Sequence, residues 1–246
     1  VLSITYEGHK DMVRCISVDK LGQYLVSGSD DGTVKIWEVN TGRCLKTISV
    51  ETSVLSVEWC PNSAINLIMI AVGNRVILLN PHVGDFLVNE KTDEVLKEAP
   101  KSDVIVADRI KTTVQWEEPT PEEYNLGFRI ILKHFKEVTQ VAWHGKGDYM
   151  AAVMPDGANR SVLIGQLSKR RSQLPFTKSK GRVQCVLFHP VRPMIFVATL
   201  RHIRVYDLLK QMLTTKLMTN SQWISRMAIH SGGDHLLVGT FDKKVL

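Results

Sequence analysis

The sequence lacks several features of membrane, secreted and disulfide-stabilised proteins. Its longest unbroken apolar run is residues 67–72, far below the roughly 18 to 20 residues that a membrane-spanning helix needs. The chain opens without an initiator Met and without a basic and apolar leader, which predicts a piece of a longer protein with no readable secretory signal. The cysteines form no close pair, so buried thiols in a reducing compartment are favoured over a disulfide framework. They are Cys15, Cys44, Cys60 and Cys185.

The signatures of common enzyme families are also missing. The sequence contains no Walker loop, no G-x-S-x-G elbow, no zincin motif and no glycine-rich dinucleotide fingerprint. Its 44% of apolar and 23% of charged residues describe an ordinary folded protein. The fold therefore has to be sought in the periodicity of the chain.

One short pattern recurs along the chain. A β-branched residue is followed by alternating small and apolar residues and then by an aromatic residue, His or Pro. The copies begin at intervals of 41, 84, 45 and 41 residues. Three of these intervals match the roughly 40–45-residue period of a WD-repeat blade, and the fourth equals one period plus about 42 extra residues. The copies start at Val13, Val54, Val138, Val183 and Ile224.

A turn and a second short apolar strand follow each copy, and a third strand follows the first four. Even spacing of short strands between Gly, Asp, Asn and Pro turns is typical of radial all-β folds. We therefore predict an all-β WD-repeat β-propeller as a single domain over residues 1–246, with a long insertion in its second blade. About four to five blades of an expected seven are present, because seven blades and the insertion would need roughly 330 residues. The domain is thus expected to be incomplete at its C-terminus.

The first copy is nearly a complete WD repeat. By resemblance to WD-repeat proteins, four of its residues are expected to form a hydrogen-bonded tetrad that locks the blade. A buried Asp is tolerated in such a place only when it is fully hydrogen-bonded. The four residues are His9, Ser27, Asp31 and Trp37.

Two sets of residues that include histidine resemble a metal site or a catalytic site. His144, His189 and His230 occupy the same slot of successive repeats, whereas metal ligands must converge within roughly 2 Å of one ion. His9 with Ser27 and Asp31 resembles a catalytic triad, but the tetrad uses the same side chains and leaves no exposed nucleophile. We predict no catalytic residue, no metal site and no cofactor.

The net charge of +6 is unevenly distributed. Residues 85–126 contain 11 acidic and 5 basic residues, and the rest of the chain contains 26 basic and 14 acidic residues. Such an asymmetry indicates a polyanionic partner or another macromolecular surface.

A basic linker joins the third and fourth copies. Residues 169–182 contain six basic residues and no acidic one, so phosphate binding and a solvated loop are about equally favoured. We expect it to be flexible and to contact phosphates rather than base edges, with Phe176 as its only stacking platform. The RNA-binding candidates are Lys169, Arg170, Arg171, Lys178, Lys180 and Arg182, with the arginines favoured.

The acidic insertion, residues 85–126, is much longer than a blade turn. Unstructured loops beyond 12–15 residues tend to be functional or disordered. The run 117–123 is not expected to pack, so disorder is favoured and a partner-binding arm is the alternative.

Residues at the entry to each first strand are expected to lie on one rim of a propeller. The protein-binding candidates on this rim are Met12, Arg14, Glu137 and Trp223, and Ser53 and Arg182 occupy equivalent slots. Trp223 suits a binding anchor, although packing against its own blade is slightly favoured.

These details together resemble the block-of-proliferation family of WD-repeat proteins, called Bop in animals and Erb in yeast. The run from Arg170 to Phe176 is the most specific part, and the resemblance covers essentially the whole chain outside the insertion. The other resembling segments are residues 6–9, 13–15, 25–32, 78–81 and 141–149.

The resemblance implies a non-catalytic scaffold for large ribosomal subunit assembly and pre-rRNA processing in the nucleolus and nucleoplasm. The implied partners are a second WD-repeat assembly factor and ribosomal RNA of the pre-large-subunit particle, with no membrane involved. Pescadillo is an implied partner of a family N-terminal region that is absent from this sequence. The alternative is a general WD-repeat scaffold of signalling or ubiquitin pathways.

Overall fold

The computed structural model consists mainly of short antiparallel strands. It describes residues 3–97, 100, 106–178, 180–221 and 223–246. Contacts divide the chain into two compact units, Val1–Val141 and Ala142–Leu246. Most strands pair with their neighbours in the chain, so each sheet is largely a meander.

The first unit contains two sheets. The first pairs β1 (Val13–Val18), β2 (Tyr24–Ser29), β3 (Thr33–Glu38) and β4 (Cys44–Ser49) in chain order. The second contains β5 (Val54–Trp59), β6 (Ile68–Val72), β7 (Arg75–Leu79), β8 (Val114–Glu117) and β9 (Phe128–His134). Its order is β5-β6-β7-β9-β8. Between β7 and β9 the described residues form three helices: α1 (Phe86–Lys97), α2 (Asp108–Lys111) and α3 (Pro121–Asn125).

The second unit contains the later sheets. One pairs β10 (Gln140–Trp143), which spans the boundary between the units, with β11 (Tyr149–Val153), β12 (Val162–Gln166) and β13 (Arg171–Gln173). The next pairs β14 (Val183–Phe188), β15 (Met194–Thr199), β16 (His202–Asp207) and β17 (Met212–Met218). A two-stranded sheet, β18 (Ile224–Ile229) and β19 (Leu236–Thr240), follows. A 3₁₀ segment, Pro155–Arg160, separates β11 from β12.

A bulge recurs near the start of the first strand in four sheets. Bulges bend a strand and are specific features of a fold rather than defects. Their equal placement indicates that β1, β5, β14 and β18 begin copies of one structural unit. The register shifts lie between Val13 and Cys15, Val54 and Ser56, Val183 and Cys185, and Ile224 and Arg226.

Gly28 allows close packing at the bulge of the first sheet. A Cβ atom at this position would lie 2.4 Å from Val54 Cγ1 and 2.8 Å from Cys15 Sγ. Both distances are far below van der Waals contact, so only glycine fits between β1 and the second sheet. In the first unit, apolar side chains of both sheets then share one core, in which Val26 and Ile36 pack with Val57 and Ile70.

The structure confirms the predicted all-β fold at the level of the individual blade. Each predicted first strand is present, and four-stranded antiparallel sheets are the blades of β-propellers. The single-domain organisation stays a prediction.

The expectation of disorder in the insertion is wrong for the part that the structure describes. Strand β8 pairs with β9, so the insertion adds a fifth strand to its sheet. The run 117–123 is ordered because α3 begins with a capping box. The Thr120 hydroxyl accepts the Glu123 N–H at 3.2 Å, and the Glu123 carboxylate accepts the Thr120 N–H at 3.0 Å. Residues 98–99 and 101–105 of the insertion lie outside the described residues.

An ion pair attaches α1 to the sheet. Arg129 of β9 donates from Nε and Nη2 to the two carboxylate oxygens of Asp93, at 2.6 and 3.1 Å. Asp93 also accepts from Asn80 at 2.8 Å and contacts His82 at 3.0 Å. Burial alone would raise the pKa of Asp93, but the hydrogen bonds from Arg129, Asn80 and His82 outweigh it and lower the pKa to about 2. The insertion is therefore anchored by charge as well as by strand pairing.

Buried His134 should make the stability of the protein depend on pH. Its side chain is 2% exposed, Nδ1 donates to the Leu132 carbonyl, and burial lowers its pKa to about 4. An unfolded His titrates near 6.5, so the unfolded state binds more protons between those values and stability falls as pH falls through this range. On lowering the pH from 7.5 to 5, the unfolding free energy should decrease in the wild type by about 2 kcal/mol more than in His134→Leu, because the variant has no imidazole to protonate at this position.

Urea denaturation at the two pH values measures this difference. Met154→Leu is the matched control, because Met154 is fully buried and has no titratable group, so the stability of this variant should depend on pH as that of the wild type does. Equal pH dependence in the wild type and His134→Leu would contradict the assignment.

Candidate binding surfaces

The structure brings the four predicted tetrad residues together in the first sheet. The Trp37 indole N–H donates to Ser27 Oγ at 2.8 Å, and Ser27 Oγ lies 2.7 Å from His9 Nε2. His9 Nδ1 lies 2.9 Å from Asp31 Oδ2. With the His9 proton placed on Nδ1, every donor in this chain faces an acceptor. The set crosses the blade from the turn after β2 to the end of β3.

Thr33 is a fifth residue that hydrogen-bonds to the tetrad, and sequence reasoning missed it. Its hydroxyl donates to Asp31 Oδ1 at 2.6 Å, and the Lys10 N–H donates to Asp31 Oδ2 at 2.9 Å. Burial would raise the pKa of Asp31, but the bonds from Thr33, Lys10 and His9 hold it well below its usual range. Ser27 is buried and its oxygen accepts the indole proton, so the triad-like set is arranged for structure rather than nucleophilic attack.

Removing the centre of the tetrad should destabilise the protein. Ser27→Ala leaves the Trp37 N–H and His9 Nε2 without their partner in a buried place, which costs about 2–4 kcal/mol of unfolding free energy. Ser49→Ala, at an exposed position of β4, is the control and should change stability by less than about 0.5 kcal/mol. Denaturant unfolding compares the two variants. Equal stabilities would show that the tetrad does not lock the blade.

The three repeated histidines act as turn caps in the structure. In each turn Nδ1 accepts a backbone N–H two residues on: from Lys146 at 3.3 Å, from Val191 at 3.1 Å and from Gly232 at 3.2 Å. His144, His189 and His230 therefore have one role in successive sheets. Sequence reasoning did not single out Asp234 and His235, whose ligand atoms lie within 4.8 Å of one another and of His230 on the exposed β18–β19 turn.

The basic linker is more ordered than expected. Arg171 belongs to β13 and pairs with Gln166 of β12, so residues 171–173 of the linker form the last strand of its sheet. Lys169, Lys178 and Lys180 are exposed, and Arg170 is half-buried. Residue 179 lies outside the described residues. The linker thus presents Arg171 from a paired strand.

Phe176 is not the stacking platform that the sequence suggested. Its ring is buried and stacks on Tyr206 of β16, with ring centroids 4.6 Å apart. The residue belongs to the apolar core between the last two four-stranded sheets of the second unit. An aromatic side chain beside that core gains more from burial than from exposure to solvent, and the linker is anchored there.

Arg182, one of the favoured RNA-binding candidates, has a carboxylate partner. Its guanidinium lies 3.2 Å from Asp156, and both side chains are exposed. An exposed pair of this kind is weak and open to competition from another anion.

Charge is also divided unevenly between the two units. Residues 142–246 contain 16 basic and 5 acidic side chains and no Glu, a net charge of +11. Residues 1–141 contain 15 basic and 20 acidic side chains, a net charge of −5. The basic linker therefore lies in a unit that is positive throughout.

The rim candidates differ in exposure and partners. Met12 is 58% exposed, Trp223 is 53% exposed, and Glu137 is exposed. The Arg14 guanidinium donates from Nε to Asp30 at 2.7 Å. Half of the Trp223 indole faces solvent, so packing against its own blade accounts for only part of its surface.

Comparison with known proteins identifies the repeat and the relatives. The model of the family "WD domain, G-beta repeat" matches residues 1–38, which include the whole tetrad. Over 246 residues the chain is 60% identical to the ribosome biogenesis protein BOP1 homolog of Drosophila grimshawi, covering 100% of this chain and 31% of the relative. The BOP1 homologs of Anopheles gambiae and Aedes aegypti are 59% and 60% identical over 244 residues, 99% of this chain and 28% of each relative.

The resemblance to the block-of-proliferation family is confirmed. It extends along the whole chain, and the chain spans less than a third of the length of these relatives. The BOP1 homologs therefore match the insertion and the basic linker as well as the WD repeat. Within the described ranges, no helix is long and apolar enough to cross a membrane.

The WD-repeat model matches only residues 1–38, whereas the BOP1 homologs also match the later sheets. Among the described residues the tetrad lies in the first sheet, the bulge recurs in the second, fourth and fifth sheets, and the His turn is shared by the third, fourth and fifth sheets. Arg204 of β16 lies opposite Lys216 of β17, a pair of charges that only strand pairing brings together and that sequence reasoning missed.

Proposed function

We propose that this chain is a non-catalytic scaffold in ribosome biogenesis, acting in large-subunit assembly and pre-rRNA processing in the nucleolus and nucleoplasm. The observation that carries the proposal is the identity of about 60%, along the whole chain, to proteins named for ribosome biogenesis. The tetrad supports a non-catalytic role, because its serine and histidine are committed to hydrogen bonds that hold a blade together.

Ribosomal RNA is the first proposed partner. The unit of residues 142–246 has a net charge of +11, and neutralising phosphates with Lys and Arg releases counterions from the nucleic acid. The linker contributes charges that its backbone holds in place, since β13 and Phe176 fix it at two points. Contacts of this kind give affinity with little sequence preference.

Replacing the linker charges should weaken RNA binding and its salt dependence. The variant changes Lys169, Arg170, Arg171, Lys178, Lys180 and Arg182 to Gln. If all six contact single-stranded RNA, the slope of log affinity against log salt falls by about four. Filter binding between 50 and 200 mM salt measures the slope.

A matched variant controls for net charge. It replaces six exposed basic residues of the first unit with Gln, namely Lys10, Lys20, Arg43, Lys97, Lys111 and Lys136. This control should bind RNA as the wild type does. An equal loss in both variants would make the effect one of total charge, and no loss in the linker variant would leave the linker as a solvated segment.

A second WD-repeat assembly factor is the second proposed partner, and the rim is its proposed contact surface. Half-exposed Trp223 supplies the kind of aromatic anchor that dominates binding energies. Met12, Arg14 and Glu137 are the further proposed contacts on the rim.

Truncating the anchor should reduce the recovery of partners without unfolding the protein. We expect Trp223→Ala to recover roughly tenfold less of the second WD-repeat factor in affinity purification, a loss of the size expected for a binding anchor. Phe86→Ala is the control, because Phe86 is an exposed aromatic residue at the start of α1. Recovery of a ubiquitin ligase or G-protein set by the wild type, in place of pre-ribosomal proteins, would favour the general scaffold instead.

A further inference from the structure

The outer part of the sheet β14–β17 lies beside the basic linker. Tyr206, Arg204 and His202 alternate along β16 and so share one face. Phe176 stacks on Tyr206, and the Arg204 guanidinium donates to the Lys180 carbonyl. The linker therefore runs along this face of β16 from its buried end toward its exposed end.

Positive charges meet on this face across two strands. Arg204 of β16 is directly opposite Lys216 of β17 in the antiparallel register, and His202 is opposite Met218. Arg201 immediately precedes β16. Burial, followed by the charges of Lys216, Arg204 and Arg201, lowers the pKa of His202. All three cations therefore lie close enough to influence the His202 side chain. Like charges directly opposite each other destabilise a sheet.

The cations of this face lack acidic partners among the described residues. No ion pair joins Arg201, Arg204 or Lys216 to a carboxylate in that part of the chain. The nearest acid along β16 is Asp207, which alternation places on the opposite face and which accepts the N–H groups of Leu209 and Lys210. All seven residues of β17 are exposed, so an external ligand can reach the cluster.

We infer that Arg201, Arg204 and Lys216 form a phosphate-binding face that holds successive phosphates of an RNA strand beside the linker. The inference rests on the proposed function and extends it to residues that no charge run in the sequence reveals. Neighbouring strands lie about 4.8 Å apart, so Arg204 and Lys216 are close enough to bind one phosphate between them, and Arg201 just before β16 is placed for an adjacent phosphate. An anion between Arg204 and Lys216 removes their repulsion, and guanidinium groups bind phosphate through paired hydrogen bonds.

The test compares two triple variants of the whole 246-residue chain. The face variant is Arg201→Gln, Arg204→Gln and Lys216→Thr. The control is Lys146→Gln, Arg192→Gln and Lys210→Gln, which removes the same charge from exposed turns of the same unit. For three phosphate contacts, the face variant should bind single-stranded RNA about 50-fold more weakly at 150 mM salt, with a salt slope lower by about two. The control should stay within a few-fold of the wild type.

A single substitution separates loss of binding from loss of folding. Lys216→Thr removes the like-charge pair and places a β-branched residue in a strand, so its unfolding midpoint without RNA should rise while its RNA affinity falls several-fold. A variant that lost affinity through misfolding would show a lower midpoint.

The outcomes distinguish the inference from the proposed function. A wild type that does not bind RNA at low salt removes both. RNA binding that falls equally in the face and control variants, or in neither, removes the phosphate-binding face and leaves the proposed function intact. Equal affinity of the wild type for poly-glutamate and RNA would assign the face to an acidic protein segment instead.

Discussion

Burial of the inner strands on both faces is the constraint on which the rest of this structure depends. All five residues of β6 are buried, as are five of the six residues of β15. No charge can be placed on such strands without a partner, because an unpaired ion in an apolar core is very unfavourable. Charged side chains are therefore displaced to turns and outer strands. Strand β17, exposed along its whole length, shows the result.

The same constraint explains where polar groups do enter the interior. Ser27 and His134 are buried, and each has a different outcome. Ser27 is held within a chain of donors and acceptors that ends on Asp31, so its polarity adds to the stability of one blade. His134 remains neutral, with Nδ1 bonded to a carbonyl and Nε2 without a hydrogen-bond partner in the described structure. Ser27 is thus accommodated by its hydrogen bonds, and His134 by remaining in its neutral form.

The insertion and the linker show how segments outside the repeat become ordered. The insertion contributes β8 to the edge of a sheet, and Arg129 ties α1 to β9 through Asp93. The linker begins as β13 and is anchored where Phe176 meets Tyr206. Each segment supplies an edge strand of a sheet and makes one specific side-chain contact. Their charges are consequently presented from defined positions, which suits contact with a large charged partner.

The sequence by itself determined the repeat, its strands, the tetrad and the likeness to the block-of-proliferation family. These depend on local alternation, on turn residues and on a period of about 41 residues, all of which are visible along the chain. Tertiary structure alone decided that Phe176 is buried, that β8 pairs with β9, and that Arg204 faces Lys216. Each of these depends on which residues become neighbours when strands pair, and register between strands of one sheet is not written in any single segment. The physical reason is that the burial of a side chain and the charges next to it depend on the assembled fold, whereas periodicity can be seen along the chain itself.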